Sequence, residues 1–324
     1  VALRGGEPVT IPTADGAQLA GELLLPDGPP RVVAALSHAM MVDRRTLDLT
    51  SRSSRSATDT GDTGPALAGS GGILTELVQA GVAVLWFDQR GHGQSGPTAA
   101  QGQRWDYDDL VSDAGAVAAW LAARLPGLAR VAIGHSLFGH VALAYQAHAA
   151  RAPGNPALYD GFVLIASNIW LRTLEPRPLR WLRKRLVYAA LLQLARPLGY
   201  LPVRRLRLGT ADEPYAYLAQ MGEWVHSKDW TDRSGRSYLA GLPAITAPIL
   251  SIAGAGDRLM AVPECQQALV ERTRGSVRHL VLGRAHGDEL DPDHMGLVLD
   301  PRLRPRWRAL AAWVADLPTL LQPA

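Results

Sequence analysis

The chain has 324 residues, 47% of them hydrophobic, and a mean hydropathy near zero, so it can bury a large core as one α/β domain or as two domains. Its single cysteine, Cys265, excludes an internal disulfide and any zinc site built on several cysteines. The net charge is +3 and the pI about 9.2, but 31 of the 33 basic residues are arginine and no nucleic-acid motif accompanies them. The charge therefore reads as an arginine-rich protein surface, not a nucleic-acid footprint.

The opening VALRGGEPVT has no apolar signal core, and no uninterrupted apolar run reaches about 18 residues, so neither a signal peptide nor a membrane span is expected and a cytoplasmic location is. Residues 9–13 and 18–25 read as antiparallel strands joined at Asp15-Gly16. The run RVVAALSHAMM at 31–41 reads as a strand ending at Ser37-His38, buried on both faces of a sheet. At 50–72 the composition shifts to Ser, Arg, Thr, Asp and Gly without periodicity, as expected of a flexible insertion in the core domain. Strands at 82–88, 130–135, 161–168, 248–254 and 277–282 alternate with helices at 73–80, 105–125 and 137–149, and a helix at 304–317 closes the chain. That alternation predicts an α/β fold with a doubly wound, mostly parallel sheet.

Residues 169–245 break the alternation. They are helical, broken by prolines, with no clear strand, and are expected to form a helical cap inserted in a core made of 1–168 and 246–324. In this segment Arg172, Arg180, Arg183, Lys184, Arg185, Arg204, Arg205 and Arg207 interleave with Trp170, Trp181 and leucines. Two readings stand: a membrane-surface contact, or a solvated face whose arginine stems cover apolar surface, which composition favours.

The stretch ARVAIGHSLFGHVALAYQAHAA at 129–150 passes from strand to helix within two residues, with Ser136 at the bend. Such a turn lifts the hydroxyl out of the sheet and aims the positive end of the following helix at it, where negative charge builds in acyl transfer. Read this way it is a nucleophile elbow, although an ordinary strand-to-helix turn shares the pattern. The motif G-x-S-x-G places glycine where this chain has Phe138, with Gly139 next, so an aromatic ring must fit where helix and sheet approach most closely.

This stretch, the FDQRGHGQSG turn, and the late GDRLMAVP and DHMGLVLDP stretches together resemble the α/β-hydrolase fold superfamily. Within it the chain is similar to predicted serine hydrolases with a helical lid, which share the RRLRLG segment found here at 204–209. The resemblance implies Ser136 as nucleophile, Asp257 as the acid and His294 as the histidine, with His286 as the competing histidine. It also implies backbone N–H donors of Leu137 and Met40 as the oxyanion hole, with Ala39 replacing a glycine. Asp288, Asp291 and Asp293 read as turn residues, and His38, His92, His135 and His140 as structural or pocket-lining groups.

The activity that the resemblance implies is ester hydrolysis through an acyl-enzyme on a small-molecule substrate with an apolar acyl part, without metal or organic cofactor. Two alternatives share the sequence: an acyltransferase using the same triad, and a non-catalytic ligand-binding protein of this fold, which Phe138 and Ala39 keep open. Oligomeric state is not legible.

Overall fold

A computed structural model describes residues 5–49, 71–151, 154 and 158–321. The insertion expected at 50–72 lies, apart from Gly71 and Gly72, outside the described residues.

The main sheet has eight strands: β1 (Glu7–Pro12), β2 (Gln18–Leu24), β3 (Val32–Ser37), β4 (Ala83–Phe87), β5 (Ala129–His135), β6 (Gly161–Ile165), β9 (Ile249–Gly254) and β10 (Val277–Leu282). Their spatial order is β1-β2-β4-β3-β5-β6-β9-β10, antiparallel from β1 to β4 and parallel from β4 to β10. The continuous apolar runs VVAALS, AVLWF, GFVLI and ILSIAG are buried along their whole length, as strands covered on both faces must be.

Side chains alternate between the two faces. Val33, Ala35 and Ala132 join one apolar cluster with α2 (Tyr107–Arg124) and α3 (Leu137–Ala149). Val32, Ala34, Leu36, Val131 and Ile133 join the other with α1 (Ile73–Gln79) and the closing helix α7 (Arg304–Ala315). α2 starts where the sequence supplies a cap: the Asp106 carboxylate accepts the Asp109 N–H, and Asp109 reciprocates.

Residues 169–245 run between β6 and β9. They comprise α4 (Pro178–Ala195), α5 (Tyr215–His226), a 3-10 turn at Leu239–Ala244 and, contrary to the strand-free expectation, a short antiparallel ladder of β7 (Tyr200–Leu201) and β8 (Glu213–Pro214). Two residues per strand are too few to leave a period in the sequence. The segment packs onto α2 through aromatic rings, Trp224 lying edge-on to Tyr107 at 4.7 Å. In the second half of the core, α6 (Pro263–Val270) joins β9 to β10. Among the described residues, no helix is long and apolar enough to cross a membrane.

Candidate active site

Ser136 stands between β5 and α3 with φ 51° and ψ −102°, a conformation side chains rarely adopt. The chain is held there from both sides. The Ser136 N–H donates to the Ile165 carbonyl at 2.8 Å, extending the β5–β6 pairing by one residue. Strand and helix then approach so closely that a Cβ on Gly134 would lie 2.0 Å from Gly139 N, and one on Gly139 would lie 2.0 Å from Ser167 Oγ. Close packing is thus served by Gly134 and Gly139, one position later than the usual motif. Phe138 points away from that contact into the core, its ring edge-on to Phe87 at 5.1 Å. The departure at Phe138 is accommodated by shifting the glycine. Gly139→Ala is accordingly expected to lose about 1–3 kcal/mol in urea unfolding, and adding Ser167→Gly is expected to restore part of it, since Ser167 is the group the new methyl meets.

Asp257 follows β9, and His294 lies past β10, just before a short helix at Gly296–Leu299. Their loops meet backbone to backbone. A Cβ on Gly254 would lie 2.2 Å from the Pro292 carbonyl oxygen, one on Gly256 would lie 2.4 Å from that of Asp291, and the Gly256 N–H donates to the Pro292 carbonyl at 3.0 Å. The consequence is a 2.7 Å contact between His294 Nδ1 and Asp257 Oδ2. The Asp257 carboxylate also accepts N–H groups of Leu259, Met260 and Ala261 at 3.3, 2.8 and 2.8 Å. Burial pushes its pKa up, but the His294 contact and these amides outweigh burial and hold it below the usual carboxylate range.

His294 is also anchored beside the elbow. His135 Nε2 lies 3.0 Å from the His294 carbonyl oxygen, and the two rings stand 5.1 Å apart. Burial lowers the His135 pKa to about 3, so the ring is neutral and its proton sits on Nε2, donating to that carbonyl. The Ser136 hydroxyl makes no hydrogen bond among the described residues. His286 lies in an exposed 3-10 turn with its carbonyl accepting from Arg306 at 3.3 Å, and no contact joins its ring to Asp257. Asp288, Asp291 and Asp293 accept backbone N–H groups of Gly283, Arg284 and Gly296, as turn residues do.

The loop after β3 is held from three directions. The Gln89 N–H donates to His38 Nε2 at 3.0 Å, the Gln89 side-chain amide donates to the His38 carbonyl at 2.7 Å, and His38 Nδ1 lies 2.8 Å from the Ala39 carbonyl. His38 is therefore neutral with its proton on Nδ1, in line with a pKa lowered to about 3, chiefly by burial. The positive φ in this loop falls on Met41, at 64°, and not on Ala39, so alanine at 39 is no obstacle. Glu213, from β8, accepts the Met41 N–H at 2.6 Å and faces His92 Nε2 at 3.0 Å, with both side chains fully buried. The Met41 carbonyl in turn accepts the N–H groups of Thr210 and Ala211. Among the described residues, the Met40 and Leu137 N–H groups make no hydrogen bond. Gln89 and Glu213 are not among the residues singled out by the sequence; the glycine-rich turn carrying Gln89 and His92 is the signal that could have found Gln89, and no pattern marks Glu213.

Residues 70–285 match the model of the Hydrolase_4 family, serine aminopeptidase, S33. The chain belongs to that family. Its fold is that of the α/β-hydrolase superfamily, and solved structures agree. An esterase from Pyrococcus furiosus aligns at TM-score 0.56 and 17% identity, covering 97% of this chain and 91% of its own. An esterase from Exiguobacterium antarcticum aligns at TM-score 0.58 and 16% identity over 94% and 98% of the two chains. Est1E from Butyrivibrio proteoclasticus, solved with ferulic acid bound, aligns at TM-score 0.59 and 14% identity over 96% and 99%. The expectation of an α/β-hydrolase is borne out.

Proposed function

We propose that this family member hydrolyses carboxylic esters of small molecules through an acyl-enzyme on Ser136, with His294 as base, Asp257 as its partner, and the N–H groups of Met40 and Leu137 as the oxyanion hole. The observation that carries the reading is the 2.7 Å His294–Asp257 contact, on loops anchored beside a strained elbow serine. Asp257 accepts the hydrogen bond from Nδ1–H and so leaves Nε2 as the basic nitrogen. Ser136 loses its proton to Nε2 as Oγ attacks the ester carbonyl. The tetrahedral oxygen gains its charge at the N-terminus of α3, and the imidazolium protonates the departing alkoxide. Water then enters by the same route in reverse and releases the acid. The hydrogen bond between serine and histidine in such sites tightens when substrate is bound.

Residues 169–245 form a lid in this reading. Trp170 donates to the Met260 carbonyl at 2.9 Å, on the loop carrying Asp257, and the 210–213 stretch holds the Met41 backbone. Apolar Met40, Met260 and Trp170 thus ride on the segments that carry the site, which favours a substrate with an apolar acyl part. The family is named for an aminopeptidase, and one acyl-enzyme chemistry serves amides and esters; the esterase neighbours favour the ester.

Ser136→Ala is expected to lower turnover of short p-nitrophenyl esters on the order of a million-fold with the fold intact by circular dichroism. A fluorophosphonate is expected to add to Ser136 of the native chain, read by peptide mass spectrometry. Unchanged turnover in Ser136→Ala overturns the reading.

A further inference from the structure

Helix α4 buries two cations beside its aromatic residues and presents leucines to solvent. Its buried face carries Arg180, Trp181, Lys184, Tyr188 and Ala195. Its solvent face carries Leu179, Leu182, Leu186 and Leu194, which are 78%, 49%, 61% and 51% exposed. At about 100° per residue these leucines fall within one arc of the helix, opposite Lys184 and Tyr188. The inward turn of the two cations has a local cause. Glu175 is buried and draws the cations inward, with Arg180 Nη2 at 2.7 Å and Lys184 Nζ at 2.9 Å from its carboxylate, and Glu264 adds a second contact to Arg180 at 2.8 Å. The inner charges are satisfied, and the outer leucines are left in water.

Along the chain the charge flanking this stripe has one sign. Residues 176–210 contain eight arginines and Lys184, with no aspartate or glutamate. Among the described residues, Arg177, Arg180 and Lys184 are the cations of this stretch whose side-chain charge meets a carboxylate. Arg183, Arg185, Arg196, Arg204, Arg205 and Arg207 are exposed cations. Next to the N-terminal end of the stripe, Arg177, Arg183 and Arg258 line an open groove of about 900 Å³ that Asp257 and Glu264 also line. Leu198, Leu206 and Leu208 extend the exposed apolar residues past the helix.

We propose that the outer face of α4 docks on an anionic lipid bilayer, the leucines entering the acyl boundary and the flanking arginines meeting lipid phosphates. A bilayer offers an apolar layer beneath a plane of negative charge, which is the complement of this face. A second copy of the chain does not complement it, because a two-fold contact would set the same unpaired arginines against one another. Exposed leucines gathered on one side of a helix mark an interaction site. The proposal stands independently of the catalytic reading.

The test is flotation of the full chain with phosphatidylcholine vesicles, with and without phosphatidylglycerol. Binding is expected on the anionic vesicles, weaker on the neutral ones, and reduced as salt is raised. The double variant Leu182→Ser/Leu186→Ser is expected to partition at least about tenfold less well, and Arg183→Gln/Arg185→Gln to bind both vesicle types alike. Native melting and short-ester turnover in both variants control for folding. The proposal is overturned if the native chain ignores anionic vesicles, if it binds both vesicle types equally, or if the leucine variant binds undiminished. It also falls if sedimentation shows a dimer that this variant dissolves, with no vesicle binding.

Discussion

His294→Ala is expected to lower kcat for a short p-nitrophenyl ester on the order of a million-fold, while His286→Ala stays within about twofold of the native chain, as an exposed substitution should. The two histidines lie past the same strand and differ in reach. His294 Nδ1 is 2.7 Å from Asp257, and its carbonyl is tied to His135 beside the elbow; His286 sits in an exposed turn. Asp257→Asn is expected to cost on the order of ten-thousand-fold. An asparagine has one acceptor oxygen for a role now shared among three backbone N–H groups and His294, and its amide hydrogens would face donors. Steady-state rates of the three variants decide the matter. Equal losses in His286→Ala and His294→Ala would remove the case for His294.

The strands of the core were legible because parallel strands buried on both faces are continuous apolar runs, and VVAALS, AVLWF and ILSIAG stand out from their flanks. Ser136 was legible because a strand that becomes a helix within two residues leaves little choice of conformation. Which histidine reaches Asp257 was not settled by loop length. It is settled by Gly254 and Gly256, whose missing side chains let the Asp291-Pro292 backbone lie against the acid loop. The consequence of Phe138 also needed coordinates, since the glycine that matters had moved to 139. The orientation of α4 was the hardest to read. Its leucine and arginine stripes have the same period whichever faces inward, and the choice is made by Glu175, a buried carboxylate outside the helix.

Glu213 was silent in the sequence and is expected to matter more than its distance from Ser136 in the chain suggests. Its carboxylate oxygen Oε1 accepts the Met41 N–H and faces His92 Nε2, while His92 Nδ1 lies 2.8 Å from the Arg90 carbonyl. Both His92 nitrogens therefore face oxygens, an arrangement that suits the imidazolium against the Glu213 carboxylate. Burial pushes the His92 pKa down, but the Glu213 charge and hydrogen bond outweigh burial and raise it. Glu213→Ala removes the counter-charge and the acceptor of the Met41 N–H together, so unfolding stability is expected to fall by about 3–5 kcal/mol. Glu213→Gln keeps the shape and tests function more finely. With the residue after Met40 held less firmly, kcat is expected to drop up to about a hundredfold, the low end of the loss of an oxyanion donor, while KM changes little. A merely structural role predicts instead a lower melting temperature with kcat per folded molecule unchanged. The pH dependence has a definite sign. A folded-state pKa raised above about 6.5 gives stability that is complete below that value and is lost as pH rises through the folded pKa. The gap in melting temperature between the native chain and Glu213→Gln is therefore expected to be widest in acid and to narrow toward alkaline pH. A gap that widens with pH instead would place the proton elsewhere than on the His92–Glu213 pair.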